Sequence, residues 1–186
     1  MRTATPEVET IDFSRFTLQQ ATPDHCRDIC DLVNLTYRGE TGWTRETHII
    51  GGDRTNLDEI TLAMDKPNAR FYVSYLDQLL AASIYLAKEQ QAEQNHAYIG
   101  FFSVHPDFQG RGLGKHILHQ AETIARQQLT ATKIRMFVVS QRPELIAFYQ
   151  RRGYQRIGDQ EPYPLQLKIG IPKVSGLTIE YLEKLV

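Results

Sequence analysis

The chain has 186 residues, 41% of them hydrophobic and 23% charged, with a formal net charge of −1. This balance is ordinary for a soluble globular protein, and it lacks the basic excess with which proteins bind nucleic acids or anionic membranes. No apolar run approaches the roughly 18 residues of a membrane-spanning helix, and the polar N-terminus lacks the apolar core of a secretory signal, so we expect a cytoplasmic protein that binds neither membrane nor nucleic acid.

The predicted elements belong to a single domain at residues 16–186, which follows a flexible N-terminal arm at residues 1–15. Apolar and polar residues alternate at 16–20, which predicts a half-buried strand. A hydroxyl cap, a proline and an acid at 22–24 then start a helix that continues to about residue 37. The other expected elements are irregular segments at 38–54 and 88–95, helices at 56–65, 112–129 and 143–153, and strands at 70–76, 79–87, 97–104, 133–139, 154–157 and 177–182.

The turn between the predicted strand 97–104 and the helix that follows it contains three glycines at alternate positions, Gly110, Gly112 and Gly114. Glycines leave the backbone N–H groups uncovered and permit dihedral angles that strain other residues. The helix start adds unpaired N–H groups and the positive end of the helix dipole. This strand–turn–helix pattern therefore predicts a site for a phosphate or pyrophosphate.

Two other phosphate-binding loops do not fit this turn. A Walker A loop has a glycine where Gln109 stands, and a serine or threonine that binds Mg²⁺ after its lysine, whereas His116 follows Lys115. A dinucleotide-binding fingerprint has the spacing G-x-G-x-x-G and an acidic residue about 20 residues further on, and the chain has neither.

Two segments together resemble the GNAT superfamily of N-acetyltransferases. Residues 109–114 (QGRGLG), after a Val-x-Pro sequence, are similar to the loop that binds the pyrophosphate of acetyl-CoA, and residues 147–154 (AFYQRRGY) are similar to a late helix of that superfamily. The resemblance covers roughly residues 16–160. It implies an α/β (α+β) fold with a mixed, mainly antiparallel, twisted sheet flanked by helices, in which the central strands 97–104 and 133–139 splay apart.

The resemblance also implies how acetyl-CoA is bound. The pantetheine arm would pair with the open edge of strand 97–104, and a backbone N–H near Val104 would donate to the thioester carbonyl. Arg111 and Lys115 would reach the phosphates or remain exposed at the helix start. Arg142 stands where the family often carries asparagine, and it would meet the cofactor or an acidic acceptor. The predicted cofactor-binding residues are Phe102, Ser103, Val104, Gln109, Gly110, Arg111, Gly112, Leu113, Gly114, Lys115 and Arg142.

Tyr149 falls on the family's tyrosine position and is the predicted catalytic residue. Because a phenol has a pKa near 10, it is protonated at neutral pH and can donate to the departing thiolate. The alternative is a core tyrosine whose ring packs on the sheet. The general base is not identified, because strand 97–104 contains no Glu or Asp. His96 and His105 flank that strand and are either titrating groups or solvated loop residues.

The acceptor is expected to bind between residues 37–54 and 159–164. Trp43, the only tryptophan of the chain, would stack on the acceptor or anchor its loop. The carboxylates Glu40, Asp53 and Glu161 would attract a cationic amine or simply be solvated.

Cys26 and Cys30 share one face of a predicted helix, where small buried residues are favoured over a redox pair or half a metal site. His116 and His119 lack a third ligand, so no metal is predicted. Because no cysteine lies near either motif, we expect that a primary amine attacks acetyl-CoA directly. The amine would belong to a small molecule or to a protein. The alternative function is a non-catalytic acyl-CoA-binding module on the same fold. A homodimer is compatible with the sequence.

Overall fold

The computed structural model describes residues 11–91 and 94–186, so residues 1–10 of the predicted arm lie outside the described residues. Nine strands and four α-helices form within the described ranges, and none of these helices has the length and apolarity to cross a bilayer. In chain order they are β1 (Gln19–Gln20), α1 (Cys26–Arg38), β2 (Ile50–Gly51), α2 (Leu57–Met64), β3 (Ala69–Leu76), β4 (Leu79–Gln91), β5 (Gln94–Val104), α3 (Leu113–Gln128), β6 (Lys133–Val139), α4 (Pro143–Gln150), β7 (Gln155–Pro162), β8 (Ile171–Pro172) and β9 (Thr178–Leu185).

Seven strands form one sheet in the order β1-β3-β4-β5-β6-β9-β7. The β5–β6 pair is parallel and the other pairs are antiparallel, which confirms the predicted mixed, mainly antiparallel sheet. The strand β6 lies inside the sheet, where its largely apolar sequence suits burial on both faces. The short strands β2 and β8 pair with each other outside this sheet.

The helices cover both faces of the sheet. Ile117 of α3 and Val33 of α1 are fully buried in two different hydrophobic clusters. The adjacent β3 residues Tyr72 and Val73 are divided between the same two clusters. Because successive strand residues point to opposite faces, α3 covers one face and α1, together with α2, covers the other.

The predicted strand at 16–20 is reduced to Gln19–Gln20. Hydrogen bonds from the side chain of Gln120 replace those of a neighbouring strand: its Oε1 accepts from the N–H of Leu18 at 2.9 Å, and its Nε2 donates to the carbonyl of Phe16 at 2.7 Å. Just before this segment, Phe13–Arg15 form a 3₁₀ turn, and the Phe13 ring stacks on His116 with the ring centroids 5.1 Å apart.

The prediction of an irregular segment at 88–95 is wrong, because β4 continues to Gln91 and β5 begins at Gln94. Lys88 and Glu89 are still paired with residues of β5. A hairpin ladder is made of main-chain hydrogen bonds, which polar side chains do not prevent. The polarity of this stretch therefore misled the sequence prediction.

The parallel pairing of β5 and β6 stops early. It extends only from His96 opposite Lys133 to Tyr98 opposite Arg135, although both strands continue well beyond this point. The predicted splay of the two strands is therefore present. It leaves a gap in the middle of the sheet.

A β-bulge in β5 accounts for this splay. Ser83 of β4 is opposite Ser103, but Tyr85 is opposite Gly100, so β5 contains one more residue than β4 in this interval. Phe101 there has a φ of 47°, a left-handed conformation that costs a non-glycine residue about 1–2 kcal/mol. Because a bulge bends its strand and increases its twist, β5 turns away from β6 at this point.

Candidate active site

The glycine turn has the predicted strand–turn–helix form. A 3₁₀ turn at Pro106–Phe108 follows β5, and α3 begins at Leu113. Gly110 has a φ of 71°, and Gly112, the N-cap of α3, has a φ of 91°, which side chains strongly disfavour. The free N–H groups and positive dipole end of α3 therefore face the turn, as a phosphate site requires.

Gln109 joins the turn to two other segments. Its Nε2 donates to the carbonyl of Val104 at 2.8 Å and to Oγ1 of Thr44 at 2.9 Å. Its Oε1 accepts from the N–H of Trp43 at 2.9 Å. The Gln109 amide thus fixes the loop after α1 against the end of β5, a role that the sequence did not indicate.

A cavity of about 270 Å³ opens beside the glycine turn, and we call it the loop cavity. Trp43 and Phe148, with ring centroids 5.6 Å apart, form part of its wall. Lys115 and Arg152 contribute positive charge, and no carboxylate of the described residues lines it. The predicted cofactor-binding residues that line it are Phe102, Val104, Gln109, Gly110, Gly112, Gly114 and Lys115.

Three other predicted cofactor-binding residues do not line the loop cavity. The side chains of Ser103 and Leu113 are buried in the interior, so only their backbone atoms can serve a ligand. Arg111 is exposed on the turn.

Arg142 does not line the loop cavity, so its role as a cofactor contact stays a prediction, and its contacts in the structure indicate a different role. It is 1% exposed, and its guanidinium donates to the carbonyls of Thr44 at 2.9 Å and Trp43 at 3.3 Å. It also pairs with Glu46 at 3.4 Å, while Arg38 pairs with the other oxygen of the same carboxylate. Because buried charges need such partners, this network is an anchor for the loop that carries Trp43.

A narrow passage of about 70 Å³, which we call the throat, lies between the splayed strands. Residues 98–102 of β5 and 136–139 of β6 form its two sides. The residues that line both the throat and the loop cavity are Tyr37, Phe102, Leu145 and Tyr149. The gap in the sheet therefore continues directly from the loop cavity.

A larger cavity of about 1000 Å³, the outer cavity, lies beyond the throat and is bordered by α2 and residues 167–169. The residues that line both the throat and the outer cavity are Arg54, Tyr98, Phe101 and Phe137. The three cavities therefore adjoin one another across the gap in the sheet. Charged residues of both signs line the outer cavity, among them Asp58, Glu59, Glu89, Lys66, Lys88 and Lys168.

The edge of β5 that faces the gap presents a backbone N–H group. The carbonyls of Phe102 and Val104 accept side-chain hydrogen bonds from Tyr37 at 3.1 Å and Gln109 at 2.8 Å, whereas the N–H of His105 donates to β4. The N–H and carbonyl of one strand residue point to the same edge, and successive residues alternate. The N–H group of Val104 therefore faces the gap, where an extended ligand can pair with it.

Tyr149 of α4 stands at the junction of the loop cavity and the throat. It is 6% exposed, and burial raises the pKa of its phenol far above the usual value, so the proton is retained at neutral pH. No group of the described residues hydrogen-bonds its hydroxyl. The geometry thus leaves a protonated donor available to a ligand in the cavity.

The residues predicted for the acceptor are distributed differently. Trp43 lines the loop cavity, whereas Glu40, Asp53 and Glu161 are exposed and line none of the three cavities. The predicted interval 37–54 ends at the residue that links the throat to the outer cavity. The carboxylates that do line the outer cavity lie on α2 and β4, where nothing in the sequence distinguishes them.

His96, His105, Cys26 and Cys30 also lie away from the three cavities. His105 caps the 3₁₀ turn, with its Nδ1 accepting from the N–H of Asp107 at 3.3 Å. The two cysteines are free and buried. Sequence reasoning missed Arg152, which lines the loop cavity, although the late-helix motif contains it.

The sequence model of the acetyltransferase (GNAT) family matches residues 28–154, more than half of the chain, and includes both the glycine turn and α4. This chain belongs to the GNAT acetyltransferase family. Since GNAT acetyltransferases use acetyl-CoA as their cosubstrate, the predicted cosubstrate is confirmed.

Two curated N-acetyltransferases are similar in sequence. The S-(2-succino)cysteine N-acetyltransferase of Bacillus subtilis (strain 168) is 32% identical over 139 residues, which cover 73% of this chain and 83% of that protein. The uncharacterized N-acetyltransferase ycf52 of Pyropia yezoensis is 28% identical over 107 residues, and the match spans 56% of this chain and only 58% of the relative.

Solved GNAT structures share the fold at lower sequence identity. Spermidine N-acetyltransferase from Vibrio cholerae, in complex with CoA and spermine, has a TM-score of 0.67 and 18% identity over 92% of this chain and 96% of that one. A GNAT-family acetyltransferase from Streptococcus pneumoniae has a TM-score of 0.65 and 13% identity over 92% of this chain and 99% of that one. These likenesses support the α/β architecture.

Proposed function

We propose that this protein transfers the acetyl group of acetyl-CoA to a primary amine by direct attack. The observation that carries this proposal is the throat. It joins a cavity suited to acetyl-CoA to a large cavity on the other side, with Tyr149 at the junction. Two substrates that enter from opposite sides meet there in a defined orientation, which is a major source of rate acceleration.

The loop cavity fits the chemical parts of acetyl-CoA. The pyrophosphate is bound by the N–H groups of the turn and the start of α3, with Lys115 and Arg152 adding positive charge. The pantetheine arm lies along the open edge of β5.

In the reaction, the amine nitrogen attacks the thioester carbon from the side of the throat. The N–H of Val104 stabilises the negative charge that develops on the carbonyl oxygen. When the carbon–sulfur bond breaks, the sulfur receives the proton of the Tyr149 hydroxyl, and the amine loses its proton to water in the throat. Solvent then reprotonates Tyr149.

Direct attack is supported by the position of the cysteines. Cys26 and Cys30 are buried between α1 and α2, where Cys26 contacts Met64 with a sulfur–sulfur distance of 3.7 Å. Neither lines the loop cavity, the throat or the outer cavity. No cysteine of the described residues is therefore placed to accept the acetyl group first.

The acceptor proposed here is a small molecule. Two of the similar proteins are named for the acetylation of small amines, S-(2-succino)cysteine and spermidine. The outer cavity is also a recess bordered by α2 and residues 167–169, which suits a compact ligand. The homodimer stays a prediction, which light scattering in solution tests.

Two measurements test the proposed function. In thermal denaturation, CoA and acetyl-CoA should raise the melting temperature by mass action, whereas NAD and Mg-ATP should not. Mass spectrometry should then detect N-acetylated products when acetyl-CoA is mixed with a panel of small primary amines. Acetyl-CoA alone should leave the protein mass unchanged, since no acetyl-enzyme forms. Binding of CoA without acetylation of any amine would instead identify a non-catalytic acyl-CoA-binding module.

A further inference from the structure

Arg54 lies where the throat meets the outer cavity, and its side chain has no acidic partner among the residues that the structure describes. Its guanidinium carbon lies 4.9 Å from the centroid of the Phe101 ring and 5.6 Å from that of Tyr37. Its Nη1 is buried without a hydrogen-bond partner. Asp58 and Glu59 line the same outer cavity, yet within the described ranges the Arg54 guanidinium forms no ion pair.

The backbone of Arg54 is held firmly. The Oδ1 of Asn34, on α1, accepts from the N–H groups of Arg54 at 2.8 Å and Thr55 at 3.2 Å. The Nδ2 of Asn34 donates to the carbonyl of Thr55 at 2.9 Å. With its backbone fixed and its side chain against two aromatic rings, Arg54 loses little freedom when a ligand binds to it.

A buried charged donor without an acceptor is unfavourable, and contact with aromatic rings compensates only in part. The planar guanidinium matches a carboxylate, with which it forms two parallel charge-assisted hydrogen bonds. We infer that Arg54 binds a carboxylate of the acceptor, so that the acceptor is an amino acid or a similar amine with a carboxylate close to the reacting nitrogen. This inference rests on the proposed acetyl transfer.

The position of Arg54 beside the throat supports an acceptor bound with its carboxylate on Arg54 and its amine towards the throat. Its guanidinium lies over Tyr37, and Tyr37 and Tyr149 both border the throat and the loop cavity. In an α-amino acid a single carbon separates the carboxylate from the amine. A carboxylate held on Arg54 therefore directs the amine into the throat, while Tyr85 and Phe137 in the outer cavity leave apolar surface for a side chain.

The charges of the throat argue against a polycationic acceptor. Among the charged residues that the structure describes, Glu46 and Arg54 line the throat. Glu46 is already paired with Arg38 and Arg142, so Arg54 is the charge that an incoming acceptor meets. A polyamine would place a like charge beside it, which is unfavourable.

The test uses amines that differ only in the carboxylate. Phenylalanine, phenylalaninamide and phenethylamine have the same aromatic group, which suits the aromatic lining of the outer cavity, and matched sets built on methionine and glutamate extend the comparison. We expect kcat/KM for the amino acid of the preferred set to exceed that for the decarboxylated amine by roughly 10- to 100-fold, since a charge-assisted hydrogen bond is lost. Arg54→Met should abolish this preference, so that kcat/KM for the amino acid falls to about that for the decarboxylated amine.

Three comparisons keep this test specific. Arg54→Lys, which retains the charge but loses the planar fork, should keep part of the carboxylate preference. Lys66→Met, which removes an exposed cation from the wall of the outer cavity, should keep all of it. The melting temperature of Arg54→Met should change little, because methionine keeps apolar contact with the Phe101 and Tyr37 rings and no ion pair of the described residues is broken.

The outcomes separate this inference from the proposed function. Acetylation of spermidine or phenethylamine without a preference for carboxylates, or a preference that Arg54→Met leaves intact, would overturn the role of Arg54 while the acetyl transfer stands. If the unmodified protein binds CoA but acetylates no amine of any set, the proposed function itself fails, and this inference fails with it.

Discussion

The loop cavity and the outer cavity are formed by different parts of the chain. In the proposed function, the loop cavity binds the pyrophosphate mainly through main-chain N–H groups of one continuous stretch, residues 109–115, and the pantetheine arm along the adjacent end of β5. The outer cavity is formed by side chains of α2, of strands β3 to β6 and of residues 167–169, which are far apart in the sequence.

This difference explains why the sequence predicts the cosubstrate more readily than the acceptor. Main-chain donors and a helix dipole bind a phosphate whatever the neighbouring side chains are, provided that glycines allow the turn. Side chains from distant elements select an acceptor by charge and shape, and their arrangement depends on packing. Tyr149 and Tyr37 stand between the two regions, since they line both the loop cavity and the throat.

The largest expected effect is on the step in which the two regions meet. Tyr149→Phe keeps the ring and removes the proton donor, so the rate of acetyl transfer should fall by about 10²–10⁴-fold. The affinity for CoA and the melting temperature should change little, because no described protein group bonds to the Tyr149 hydroxyl. Steady-state kinetics, calorimetric titration with CoA and thermal denaturation measure the three quantities.

Tyr72→Phe is the matched control for this substitution. The hydroxyl of Tyr72 donates to Oε1 of Gln128 at 2.8 Å, away from the three cavities. Its removal should lower the free energy of unfolding by about 0.5–1.5 kcal/mol and leave turnover unchanged. If Tyr149→Phe instead behaved like Tyr72→Phe, Tyr149 would have a structural role only.

The second-largest expected effect is the loss of stability when Arg142, which lies outside the loop cavity, is replaced. Arg142→Met deprives Glu46 of one partner and releases the carbonyls of Trp43 and Thr44. We expect the free energy of unfolding to fall by about 3 kcal/mol, at the low end for a broken buried pair because Arg38 still pairs with Glu46. Chemical denaturation measures this loss.

Arg152→Met provides the contrast, because Arg152 lines the loop cavity. It should weaken CoA binding by roughly 10-fold, the loss of one charge-assisted contact, with a smaller change in stability. Arg142→Met should leave CoA affinity within about 3-fold when the protein is folded. A large loss of affinity in Arg142→Met with unchanged stability would support Arg142 as a cofactor contact.

The smallest effect concerns the glycine turn itself. Gly110 and Gly176 have similar φ values, 71° and 68°, and a Cβ on either residue would meet no atom within 4 Å. Alanine at either position should therefore lower the free energy of unfolding by a similar amount, about 1 kcal/mol. Only Gly110→Ala should weaken CoA binding, on the order of 10-fold, since only Gly110 lines the loop cavity. Equal CoA affinity in the two variants would show that the turn does not approach the phosphates.

Much of the fold and of the cofactor side could be predicted from the sequence because the signals are local. The helix starting at 22–24, the central strand β6 and the glycine turn before α3 depend on neighbouring residues, and all are present. The same holds for the late-helix motif, which placed Tyr149 on α4. The predictions that failed concern places where contacts with distant residues determine the structure. Gln120 replaces a strand beside Phe16, and hairpin pairing makes residues 88–91 and 94–95 part of two strands.

By itself, the sequence determined the family, the acetyl-CoA turn and the order of the main elements, since each is specified by a few adjacent residues. The tertiary structure alone decided that the bulge at Phe101 opens the sheet, that Arg142 anchors a loop and that Arg54 faces the throat. These features arise from strand register and from charges that meet across large sequence separations. Such contacts leave no periodic pattern or motif along the chain.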